Sequence, residues 1–203
     1  MIQGCDTAAI VTPYVMRLAG AGCKFVGRYQ WSLTVEEVAA IHSAQMRVLH
    51  IFEGGRNATT PAYFTAAQGD ADARKMLAKA AALGQPKDSG LYFAVDTNPA
   101  PDDGDSVTPD VSDVVKYFQR VCGLVSVGGY RVGAYGSGLV LETLGQANLI
   151  ELAMLANASG WYGSKDFTMW NVHQYSVPRP AWPGASLMID ACEAYDLDEA
   201  GCW

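Results

Sequence analysis

Four carboxylates hold comparable places along the chain: Asp6, Glu53, Asp96 and Asp190 each close a short apolar run. Such runs read as strands. If those strands lie parallel in a closed barrel, their C-terminal ends share the rim that carries active sites. Carboxylates facing one another across a cleft suit the cleavage of a glycosidic bond. One is protonated and gives its proton to the leaving oxygen; the other is ionised and acts as nucleophile, base or charge stabiliser. Mutual proximity drives their pKa values apart and so assigns the roles. Glu53 and Asp96 end neighbouring strands, about 4.8 Å apart at the backbone, and form the first pair, with Asp6 and Asp190 next in line. Glu53, above the apolar Ile51 and Leu49, is expected to be the neutral donor. Asp96, hydrogen-bonded by nearby Tyr or Gln side chains, is expected to stay charged. Taken singly, an Asp at a strand end serves as readily to cap the next helix.

Other side chains fit the same rim. Arg28 is a partner for a buried carboxylate, or a pair that merely stabilises the rim. Tyr29, Tyr92, Gln174, Tyr175 and Trp161 offer sugar contacts, although core packing is the commoner fate of a Trp. Trp161 lies in a polar, Gly-rich stretch, Ser159-Gly160-Trp161-Tyr162-Gly163. Ser137 lacks the full nucleophile-elbow pattern. Five cysteines are scattered without metal-ligand spacing, so no metal or cofactor is expected. They read as buried free thiols; only Cys192 and Cys202 are close enough in sequence to suggest a loop-closing bridge.

The elements that must position these residues alternate. Strand-like runs cover 2–6, 25–29, 48–53, 91–96, 131–137, 152–157, 171–176 and 187–190. Helical patterns lie between most of them. Thr34 with Glu37 three residues on is a capping box. An Ala-rich helix spans about 70–83. Thr108-Pro109 reads as the cap and first position of a helix carrying Val111, Val114, Val115, Phe118, Val121 and Val125 on one face. In the fourth run Tyr92, Ala94 and Asp96 share one face, and Leu91, Phe93 and Val95 the other. Eight strands suit a (β/α)8 TIM-type barrel with some helices short or missing after Gly145; an open doubly wound sheet is the alternative.

The chain has 203 residues, 50% of them hydrophobic and 17% charged. One barrel domain over 1–203 accounts for that length. With a net charge of −7 and no basic cluster, nucleic acid is not an expected partner. No apolar run reaches the roughly 18 residues of a membrane span. The N-terminus lacks the pattern of a signal peptide, which implies synthesis in the cytoplasm and non-classical release for any action at a cell wall or in the periplasm.

Several segments in order carry a resemblance: Gly4-Cys5-Asp6-Thr7, Phe25-Val26-Gly27-Arg28-Tyr29, Ile51-Phe52-Glu53, Leu91-Tyr92-Phe93-Ala94-Val95-Asp96, Gly129 through Ser137, Val172-His173-Gln174-Tyr175 and Ile189-Asp190. The chain resembles the glycoside-hydrolase-like family known as domain of unknown function 1906, and more distantly the family 25 lysozymes. The resemblance implies a (β/α) barrel with a groove at the C-terminal rim and a muramidase-like action on peptidoglycan or a related amino-sugar glycan. It places Asp6, Asp96, Gln174 and Asp190 at the site and brings in Tyr135 as a sugar contact. The lysozymes carry Asp-x-Glu after the fourth strand, the Glu being their donor. Here the run is Asp96-Thr97-Asn98, so Glu53 must donate, with Asn98 left as a binding residue, or the mechanism does not carry over. The alternatives are an inactive glycan-binding module and a protein-interaction domain. An endolysin, or a toxin with an immunity or delivery partner, fits the same features.

Overall fold

A computed structural model of the chain describes residues 1–54, 59–102, 104 and 110–203. The strands are β1 (Ile2–Thr7), β2 (Phe25–Tyr29), β3 (Arg47–Phe52), β4 (Gly90–Ala94), β5 (Arg131–Gly136), β6 (Leu152–Leu155), β7 (Val172–Gln174), β8 (Arg179–Pro180) and β9 (Met188–Ala194). The helices are α1 (Val15–Gly20), α2 (Val35–Ser43), α3 (Ala66–Ala82), α4 (Val111–Val125) and α5 (Gly138–Gln146). Strands β1 to β7 run parallel in sequence order, and β9 pairs with both β7 and β1 to close an eight-stranded barrel. The short β8 pairs only with β9. This is a TIM-type barrel, not an open sheet, and no helix separates β6 from β7 or β7 from β9.

The closing strand departs from expectation. It is antiparallel to both neighbours and runs on to Ala194, so Asp190 stands near its start. Because β9 descends where β1 ascends, its beginning meets the end of β1, and Asp190 lies directly opposite Asp6. The residue reaches the expected rim by the opposite chain direction.

Strand parity separates the interior from the shell. Phe25, Leu49, Ile51, Tyr92, Met154 and Cys192 pack inside the barrel. Leu91, Phe93 and Val95 face outward against Val114, Phe118 and Val121 of α4 and Met76 of α3. Burying each such side chain contributes about 1.5–3 kcal/mol. Asp110 caps α4 through Ser112 N–H, whereas the Thr108-Pro109 signal lies outside the described residues. Thr34 caps α2 through Glu37 N–H, but the Glu37 carboxylate turns away to Arg28.

The C-terminal segment seals the barrel floor. Trp203 exchanges backbone hydrogen bonds with Val48, and Gly90 N–H donates to Gly201 O. Tyr92 donates to Ala200 O at 2.8 Å. All five cysteines are free thiols, so Cys192 and Cys202 are not bridged. None of the described helices is long and apolar enough to cross a membrane.

Candidate active site

At the rim formed by the ends of the parallel strands lies a cavity of about 280 Å³. The four carboxylates Asp6, Glu53, Asp96 and Asp190 line it together with Tyr29, Tyr135 and Gln174. Its apolar lining comes from Ile51, Ala94 and Met154, with Pro178 at the wall. Met154, on β6, and Pro178, just before β8, were not among the site residues expected from the sequence.

Asp6 is the anchor. It is 2% exposed and accepts from Tyr29 Oη at 3.2 Å, Gln174 Nε2 at 2.9 Å and Cys192 Sγ at 3.2 Å. Tyr135 Oη steadies Gln174 by donating to its Oε1 at 3.1 Å. Gly27 lies beside Asp6 on β2, and a Cβ there would stand 2.6 Å from the Asp6 Cβ. Glycine thus leaves room for the carboxylate to point inward. Burial raises the Asp6 pKa, its three hydrogen bonds pull it back, and the charge of Asp96 raises it further.

Glu53 follows β3 directly. Its backbone is clamped by the Gln30 amide, which donates to Glu53 O at 2.9 Å and accepts from Glu53 N–H at 3.1 Å. Burial, then the charges of Asp96 and Asp6, lift its carboxyl pKa to about 7. Asp190 is raised to about 6 by burial and by Asp6. Asp96 is raised by burial. Among the described residues no hydrogen bond reaches the Asp96 carboxyl. The Tyr and Gln donors expected for Asp96 serve Asp6 instead: Tyr29 and Gln174 both donate to its carboxylate. Acids lining one small cavity disfavour one another's ionisation, which adds to burial in raising Glu53, Asp190 and Asp6.

Five residues expected at the site lie elsewhere. Arg28 faces outward, opposite in parity to Gly27 and Tyr29. Its Nε and Nη2 donate to the Glu37 carboxylate at 3.0 and 3.2 Å, and Nη2 also donates to Ser32 Oγ at 3.1 Å. Nη1 donates to Thr7 O. Tyr92 points to the barrel floor. Asn98 Oδ1 accepts from Tyr162 N–H at 2.9 Å, tying two rim loops together. Trp161 belongs to the turn that follows β6, where its N–H donates to Ala158 O. Tyr175 is 38% exposed, outside the cavity, and donates to Gln3 Oε1 at 2.7 Å. Among the described residues no group of three or more His, Cys, Asp or Glu is arranged to hold a metal ion.

Comparison with known proteins places the fold. The chain is 29% identical over 184 residues to the uncharacterized protein YbfG of Bacillus subtilis (strain 168), covering 83% of this chain and 25% of that relative; it spans about a quarter of the relative's length. The Tat-secreted protein Rv2525c of Mycobacterium tuberculosis, solved with L-tartrate, superposes with a TM-score of 0.78 at 20% identity, over 99% of this chain and 98% of that one. The modular autolysin LytC of Streptococcus pneumoniae, solved with a synthetic peptidoglycan ligand, gives a TM-score of 0.61 at 10% identity, over 94% of this chain and 46% of that one. At these identities the structural likeness concerns the fold. A family model matches residues 10–194, and on that match the chain belongs to the Rv2525c-like, glycoside hydrolase-like domain family.

Proposed function

We propose that the protein hydrolyses an amino-sugar glycan of the bacterial cell wall, with Glu53 as proton donor and Asp96 as the opposing carboxylate. The observation that carries the reading is Glu53: a carboxyl whose pKa is lifted to about 7 at the mouth of a cavity shared with three other acids. A general acid works best when its pKa lies near the working pH. The LytC structure with a peptidoglycan ligand supports the substrate class, and the family's glycoside hydrolase-like character supports the chemistry.

The steps balance without a cofactor. Glu53 gives its proton to the glycosidic oxygen as the bond from that oxygen to the anomeric carbon breaks, and the bonding electrons leave with the oxygen. The positive charge growing on the sugar is stabilised by the ionised members of the cluster. Water ends on the anomeric carbon, and its proton returns to Glu53. Burial keeps Glu53 protonated, with smaller contributions from the charges of Asp96 and then Asp6.

The pH profile tests this. Cleavage of purified wall, followed as release of reducing ends, should fall as the pH rises through about 7, where Glu53 loses its proton. It should also fall at acid pH, where the partner carboxylate gains one. A rate that keeps climbing to pH 9 would remove Glu53 as the acid. A second reading, a glycan-binding barrel without turnover, is favoured by one feature: the position of the lysozyme donor is Asn98, whose side chain is occupied by Tyr162 N–H. Co-sedimentation with insoluble wall and no released reducing ends at any pH would establish it.

A further inference from the structure

A second, larger cavity of about 400 Å³ shares Glu53 with the first, Glu53 lining both. Its walls come from the segments that follow β2 and β3 and from α3. Trp31 lines it while 48% exposed, and its ring stacks on Tyr29 at 4.6 Å and 16°. Tyr29 belongs to the first cavity and Trp31 to the second, so one aromatic stack spans the boundary. Beneath, Asp72 is 3% exposed and saturated: it accepts from Tyr63 Oη at 2.6 Å, Tyr117 Oη at 2.9 Å and Gln68 Nε2 at 2.7 Å. A Cβ on Gly54 would stand 2.0 Å from Tyr63 Oη, so glycine at that position lets the hydroxyl close this wall. Lys75 stands at the edge, its Nζ 5.8 Å from the Phe52 ring. Among the described residues no acid pairs with Lys75.

The position of Glu53 gives this cavity its meaning. A general acid must reach the oxygen that joins two sugar residues. A donor on the wall between two cavities therefore separates the residue that is attacked from the residue that leaves. The first cavity, with three further carboxylates, is the place where positive charge is stabilised. We propose that the second cavity binds the leaving sugar residue, stacked on Trp31, with a carboxylate-bearing substituent directed to Lys75.

This inference rests on the hydrolase reading and adds the substrate's orientation. Asp72 already accepts three hydrogen bonds, and among the described residues no ion pair holds Lys75, so its ammonium is the donor of the pocket left to meet an acidic substituent. In a chain of alternating N-acetylglucosamine and N-acetylmuramic acid, the residue with the acidic side arm is the muramyl one. It would occupy the leaving side, and the new reducing end would be glucosaminyl, the reverse of the muramidase-like cleavage that the sequence resemblance implies.

Binding is tested separately from turnover. N-Acetylmuramic acid and N-acetylglucosamine are titrated into the full chain while the indole N–H signal of Trp31 is followed by NMR. N-Acetylmuramic acid should shift that signal and bind more tightly than N-acetylglucosamine. By titration calorimetry, which does not need the indole signal, Trp31→Phe should preserve binding, and Trp31→Ala should weaken it about tenfold, the worth of one well-stacked ring. Lys75→Gln should erase the preference for the acidic sugar while leaving N-acetylglucosamine binding unchanged. A Trp31 signal unmoved by either sugar would overturn the assignment of the cavity. An unaltered preference in Lys75→Gln would overturn the orientation, as would muramyl reducing ends in digested wall. Binding as described without any wall cleavage would uphold the sugar site and reject only the hydrolase reading.

Discussion

Glu53→Gln is expected to cost at least about a hundredfold in the rate of wall-glycan cleavage, the lower bound for a positioned acid, and to raise the melting temperature at pH 8. The two effects have one cause. A Glu in the unfolded chain ionises near 4.3, and in the folded protein near 7, because burial and the charges of Asp96 and Asp6 oppose ionisation. Between those values the native state keeps a proton that the unfolded chain has released, so stability falls as the pH rises. The contribution is intact below about pH 4.3 and lost by the time the pH has passed 7. Gln never ionises, so the variant should melt above wild type at pH 8, and the gap should close towards pH 4. Asp96→Asn should lose a comparable factor in rate. Scanning calorimetry at both pH values with a reducing-end assay checks the pair of signs. A Glu53→Gln protein within threefold of wild-type rate would move the donor to Asp190, whose pKa is lifted to about 6.

Arg28→Met should destabilise the fold by about 3–5 kcal/mol, the usual cost of breaking a buried ion pair from one side. Arg28 and Glu37 are 0% and 1% exposed. Without the guanidinium, Glu37 keeps a hydrogen bond from Val11 N–H but no opposite charge, and Thr7 O loses its donor. Adding Glu37→Leu should recover only part of the loss: it removes the unpaired buried charge, but leaves Val11 N–H without its acceptor, at about 1–3 kcal/mol. Urea unfolding at pH 7 measures both. A loss under about 1 kcal/mol in the single variant would show that the pair does not hold β2 to α2.

These two residues also mark how far the sequence could be read. Glu53 was legible because a carboxyl sits two residues after Ile51 and four after Leu49, on the face that parity sends inward. The same parity rule excludes Arg28: it follows the inward Gly27 and precedes the inward Tyr29, so it must point to α2. Its charge and its place near a strand end point to the rim, but parity decides. Tyr92 has inward parity but sits too deep, and only the C-terminal segment under the barrel shows where its hydroxyl goes. The direction of the closing strand was hidden too, because Leu187 to Asp190 alternates identically whichever way the chain runs. Asn98, Trp161 and Tyr175 lie beyond strand periodicity, where loop geometry decides.

The donors around Asp6 illustrate the remaining limit. Tyr29, Gln174 and Cys192 come from three separate strands, and their convergence follows from barrel closure through the β1–β9 pairing. Cys192 in particular read as a packing thiol, and nothing local to it suggests a hydrogen bond to a carboxylate 186 residues away.

The most direct measurement is the identity of the products. Purified peptidoglycan is incubated with wild type and with Glu53→Gln near pH 6, and the soluble fragments are reduced with borohydride and weighed by mass spectrometry. The account expects wild type to release glycan fragments that end in a borohydride-reducible sugar, and Glu53→Gln to release almost none. Fragments with uncut glycan strands, equal release by both proteins, or no soluble glycan from wild type would contradict it.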